Sequence, residues 1–138
     1  VVKEKRQNMK NAKTILTFYW ITTSFFCVWM LFTAYAQLTL PQVQQVFTHL
    51  GFPSYFRIEL SVAKFVGVFV LLAPAPARLK EWAYAGFAIT LTSALIAHVS
   101  AGEGAAVFMW AIVAGMLLAL SYSCFRKTSY SRLSALLC

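Results

Sequence analysis

ILTFYWITTSFFCVWMLFTAYA, residues Ile15 to Ala36, is a run of 22 residues without a charge. At 1.5 Å per residue a helix of that length reaches about 33 Å, enough to cross a hydrocarbon core of about 30 Å. A secretory signal peptide has a shorter apolar run followed by a small-residue cleavage site. This run is long, rich in Phe, Tyr and Trp, and followed by more apolar segments, so it reads as a retained membrane helix.

Three further spans follow. The second begins near Tyr55, after Gly51 and Pro53 with Ser54 as a candidate N-cap, and ends at Ala73 before Pro74 and Pro76. It covers about 28 Å but is interrupted by Glu59 and Lys64. The third runs from about Trp82 to Ser100, closed by Gly102, and the fourth from Ala105 to Phe125, closed by Arg126 and Lys127. The few residues around Gly102, Glu103 and Gly104 make the last two spans antiparallel neighbours.

Composition agrees with the spans. Apolar residues make up 60% of the 138 and charged residues 12%, against about 25% charge in an ordinary soluble domain. This excludes an ordinary water-soluble enzyme. The formal charge of +8 would suit nucleic-acid binding if it covered a folded face, but the charges cluster between apolar runs, as the basic flanks of a membrane protein do. No nucleic-acid partner is expected; membrane lipids are.

Lys3, Lys5, Arg6, Lys10 and Lys13 precede the first span, Arg78 and Lys80 lie between the second and third, and Arg126, Lys127 and Arg132 follow the fourth. The opposite side has Arg57 alone. That bias places both termini in the cytoplasm of a cell with the protein in its inner or plasma membrane. The expected divisions are a basic tail over residues 1–14, a four-helix membrane domain over 15–125 and a second tail over 126–138. Both extremities are disordered by default, although Ser129, Tyr130, Ser131, Arg132 and Leu133 have a soft amphipathic pattern. Between the first two spans, Thr39 is placed to cap a short helix starting near Pro41. Its apolar stripe is Val43, Val46, Phe47 and Leu50. The fold class is therefore all-α: a four-helix transmembrane bundle with a short outward amphipathic helix, either an ordinary connector or a lid.

Lys64 lies nine positions into its span, about 14 Å from the outward end, where an unpaired charge is expensive. Glu59 is five positions earlier, so the two are roughly 140° apart and an intrahelical salt bridge is disfavoured. Ser61 shares the face of Lys64. By depth, Ser93 lies near the level of Lys64, and His98 and Glu103 near or beyond that of Glu59. These levels predict a polar pocket open outward, assembled from Glu59, Lys64, Ser93 and His98, with Arg57, His49 and Glu103 at its rim. The competing reading has the same charges pairing across the bundle or with lipid and serving only to fix it.

Two histidines, no Asp and neither an HxxxH nor a CxxC spacing leave metal chemistry without a ligand set. Cys27 and Cys124 lie at opposite depths and Cys138 is terminal, so no disulfide framework or meeting redox pair is expected. No serine elbow, P-loop or dinucleotide fingerprint occurs, and no catalytic residue is assigned. Helix packing is signalled by Ala111, Gly115 and Ala119 at four-residue spacing, and by Gly86 with Thr90, Ser93 and Ala97. These faces suit neighbouring spans, a membrane protein partner or a homo-oligomer.

Leu50–Gly51–Phe52–Pro53, the stretch Glu59 through Gly67, and especially KEWAYAGF at Lys80 to Phe87 resemble the DoxX-like family of small membrane proteins. Ser93–Ala94, Ala97–His98 and Gly102–Glu103 extend the resemblance to about residues 12–125. It implies a four-helix membrane bundle, in agreement with the span count. The broader DoxX and DoxD group is associated with quinone-linked sulfur oxidation and membrane oxidoreductase complexes, so the resemblance also implies a redox setting. Glu59, Lys64, His98 and Glu103 match recurrent polar family positions, the last standing where Asp is common. The expected role is a small accessory subunit, redox-associated and binding a quinone or other hydrophobic ligand near Lys64. A proton-linked transporter and a noncatalytic membrane assembly factor are the rivals.

Overall fold

The computed structural model describes residues 1–137, with side chains described through Ser129. The amphipathic pattern over Tyr130, Ser131, Arg132 and Leu133, like Cys138, lies outside those described side chains. The elements are α1 (Val2–Thr39), α2 (Pro41–His49), α3 (Ser54–Leu72), α4 (Ala77–Ser100) and α5 (Ala105–Leu137). No strand occurs among the described residues. By length and composition α1, α4 and the Ala105–Ser129 part of α5 are long and apolar enough to cross a membrane. The 19 residues of α3 reach about 28 Å, and Arg57, Glu59 and Lys64 set this helix apart from the other three.

The four long helices form a ring in which α1 packs on α3, α3 on α4, α4 on α5 and α5 on α1. Short α2 packs on the ends of α1 and α3, where Phe47 meets Phe52 at a tilt with centroids 6.1 Å apart and Phe52 stacks on Phe56 at 4.9 Å. Both tight turns close on a glycine in the left-handed region, Gly51 at φ 81° and Gly102 at φ 69°. Around them Phe52 N–H reaches Phe47 O (3.0 Å) and Glu103 N–H reaches His98 O (3.3 Å), satisfying carbonyls that a helix end leaves open. Pro74 and Pro76 separate α3 from α4, since proline cannot continue the first helix and disfavours helical geometry in the residue before it.

Across the middle of the ring, Phe26 meets Phe87 edge to face at 5.2 Å and 89°. Trp29 stacks on Trp110 at 5.2 Å, joining α1 to α5. The fully buried side chains include Thr23, Ser61 and Ser121, whereas Phe18, Phe25, Phe32, Ile89 and Trp110 face the periphery. A few buried hydroxyls within an apolar core, with large apolar side chains also on the outside, are expected where surrounding chains are as apolar as Leu and association relies on close packing and interhelical hydrogen bonds.

Three local expectations are corrected. The basic tail before Ile15 is helical from Val2 onward: Lys, Glu, Arg, Gln, Met and Ala are good helix formers, and they extend a helix that the span has already nucleated. Correspondingly, α5 continues past Phe125. Thr39 does not cap α2, whose N-cap is Leu40; its hydroxyl instead donates to Tyr35 O at 2.9 Å. Ser54 is the first residue of α3 rather than its cap, which is Pro53.

Candidate functional site

The polar residues of the bundle fall into two layers and a turn. In the layer nearer α2, Arg57, Ser61 and Lys64 recur at helical spacing on one face of α3 and meet Thr33 and Gln37, one turn apart on antiparallel α1. Arg57 Nη1 donates to Gln37 O. Ser61, wholly buried, shares its proton between Gln37 Oε1 (3.1 Å) and Arg57 O (3.0 Å). Lys64 is 8% exposed, and its Nζ donates to Thr33 Oγ1 at 3.4 Å. Thr33 passes its own proton to Met30 O at 2.9 Å, which leaves its oxygen free to accept. No acidic side chain forms an ion pair with Lys64 among the described residues.

Glu59 and Ser93 are both exposed at the periphery. His98 Nδ1 donates to Glu103 Oε2 at 2.5 Å, the two half-buried groups clamping the α4–α5 turn. His98 is thus joined to Glu103, while the hydrogen bonds of Lys64 and Arg57 run to α1. His49 is exposed on α2. No group of His, Cys, Asp or Glu among the described residues is arranged to hold a metal, and Cys27 and Cys124 are free thiols.

A second polar layer, near the basic end, was not found by sequence reasoning. Ser121 of α5 binds Thr23 of α1 at 2.6 Å and Tyr84 of α4 at 2.7 Å, with all three side chains buried. Tyr84 also packs on Phe125 at 5.5 Å and Tyr122 at 5.3 Å. Nearby, Lys80 Nζ donates to Tyr19 OH at 3.4 Å. The available signal was that Thr23, Tyr84 and Ser121 each place in a span a hydroxyl that hydrocarbon cannot satisfy; counted from the basic ends of the spans their depths do not match, so depth alone would not have joined them.

Beside this layer, α4 and α5 part to leave an open furrow of about 490 Å³. Ala85, Ala88 and Thr92 line it from α4, Gly115, Ala119 and Tyr122 from α5, and Glu81 stands at its basic end. Its walls are chiefly apolar and its width follows from small side chains. A Cβ at Gly115 or Gly86 would meet nothing within 4 Å, so neither glycine is needed for contact between this chain's own helices. Ala119 is likewise exposed and Ala111 half-buried. The close approach occurs instead at Gly67, where a Cβ would come within 2.7 Å of the Phe87 ring.

The model of the DoxX-like family matches residues 21–121, from the middle of α1 through Ser121. The chain belongs to the DoxX-like family. Neither a curated protein nor a solved structure shows a significant match to it. With the family, the long apolar helices make this a small membrane protein. The match takes in both polar layers and, apart from Tyr122, the residues that line the furrow.

The Lys64–Thr33 contact has a measurable consequence. Thr33→Val is expected to cost about 1 kcal/mol through loss of a hydrogen bond to a charged or polar donor. The same change in a Lys64→Met background is expected to cost nothing further. A double-mutant cycle from unfolding in detergent checks this, and additive costs would remove the contact as a stabilising pair.

Proposed function

We propose that this DoxX-like protein is a small accessory subunit that holds one lipid-soluble molecule, a quinone or another hydrophobic ligand, in the furrow between α4 and α5, next to a redox partner. The observation that carries the reading is the furrow: about 490 Å³ of open volume, within the range of small-molecule sites. The Thr23–Ser121–Tyr84 contacts tie α1, α4 and α5 together beneath it, which supports a site formed before the ligand arrives. The redox setting comes from the family association. In this reading Lys64 fixes α3 to α1, and the basic end of the bundle lies in the cytoplasm.

The test is native mass spectrometry after gentle extraction, comparing the parent chain with Gly115→Leu. The added side chain would fill the furrow where a Cβ has open space. The parent is expected to retain one hydrophobic molecule and the variant to lose it, at unchanged melting temperature. Lys64→Met is expected to keep the ligand; its loss there would return the site to the pocket expected around Glu59, Lys64, Ser93 and His98. A protein partner released by Gly115→Leu, with no small molecule in the parent, would replace this reading with an assembly factor.

A further inference from the structure

We propose that the furrow takes one acyl chain of a phospholipid with an ethanolamine head, Glu81 receiving its ammonium group and Arg126 its phosphate. The inference rests on the furrow reading above and selects among its ligands. Glu81 stands at the basic end of the furrow, with Arg126 Nη1 3.7 Å from its Oε1. The two side chains are 45% and 63% exposed, so each keeps hydrogen-bonding capacity toward the outside. Arg126 also donates to Tyr122 OH at 3.4 Å, which holds the guanidinium over the furrow wall.

The charges are complementary in kind and order. A carboxylate accepts the N–H groups of a primary ammonium, and a guanidinium presents a fork suited to phosphate oxygens. A choline head has no N–H for Glu81, and a glycerol head brings no cation. Lys127 and Arg78, one and three residues from the pair in sequence, attract any anionic lipid, so selectivity for ethanolamine falls to Glu81. A quinone head, being uncharged, matches neither partner.

The depth also fits. Arg126 and Lys127 follow the apolar run of α5, placing the pair at headgroup level. From Glu81 to Thr92 the furrow follows α4 for about 16 Å at 1.5 Å per residue, which is one leaflet of a core of about 30 Å. One acyl chain therefore runs from the charged pair to the bilayer midplane.

The experiment presents the full chain to vesicles containing equal amounts of dioleoyl phosphatidylethanolamine, phosphatidylcholine and phosphatidylglycerol, then reads retained lipid by native mass spectrometry. Ethanolamine lipid is expected to exceed each of the others by about tenfold. Glu81→Gln should bring the ethanolamine-to-choline ratio to about one while a chain is still held, and Arg126→Gln should lower retention of both without changing their ratio. Equal or better retention of choline or glycerol lipid by the parent, or an unchanged ratio in Glu81→Gln, overturns the proposal. If Gly115→Leu retains every lipid as the parent does, the furrow reading itself fails; if it loses them while the head preference is absent, only the assignment of the head fails.

Discussion

Gly67→Val is expected to keep the bundle from closing. A Cβ at this position would stand 2.7 Å from Cζ and 2.8 Å from Cε2 of Phe87. The ring has no room to withdraw, because Phe87 is itself buried and lies edge-on against Phe26, which is 0% exposed. Overfilling a packed core costs about 1–3 kcal/mol, and a branched side chain adds two methyl groups beyond the offending Cβ. Purified in detergent, the variant should melt well below the parent or elute as aggregate. Gly86→Val and Gly115→Val should fold normally, since both positions open on space. A Gly67→Ala protein as stable as the parent would mean that α3 and α4 do not approach this closely.

Ser121→Val is expected to be the most damaging loss of a single polar group. Ser121 is the common partner of Thr23 and Tyr84, so its removal takes a short hydrogen bond from each of two hydroxyls. Thr23 has a remedy, because a threonine in a helix can bond the carbonyl four residues back. Buried Tyr84 loses its 2.7 Å partner and falls back on Thr23 and Tyr19, which also lie within reach of its hydroxyl; it accounts for most of an expected loss of about 1–3 kcal/mol. Adding Tyr84→Phe should then recover part of the stability, because the hydroxyl that lost that partner goes with it. If the second substitution lowers stability by as much as it does in the parent, the two hydroxyls are not coupled.

The contrast between these positions shows what hydropathy makes legible. Charge-free runs and proline or glycine breaks locate the helices, because the cost of exposing backbone to hydrocarbon leaves few alternatives. The stripe Val43, Val46, Phe47 and Leu50 likewise marks α2. The extent of α1 was less visible: its basic beginning carries no apolar signal and is helical through propensity and continuity. Depth counting found Lys64 and put Ser61 on its face, but depth carries no azimuth. Ser93 lies at a comparable level yet faces the periphery, whereas Thr33 and Gln37, one turn apart on α1, receive Lys64 and Ser61. Small residues are ambiguous for the same reason. Gly67 and Gly115 look alike in sequence, and only the neighbouring helices decide that one meets a ring and the other borders a furrow.

The Thr23–Ser121 hydrogen bond joins positions separated by 98 residues. At a synthesis rate of about 5–20 residues per second, α1 waits roughly 5–20 s in or near the bilayer before its partner on α5 is made. During that interval Thr23 turns inward on its own helix, and the α1 face destined for α5 meets lipid or whatever the insertion machinery offers. Closure of the ring is therefore a late event in biogenesis, and a chain interrupted before α5 keeps uncovered the α1 face that carries Thr23 and Trp29.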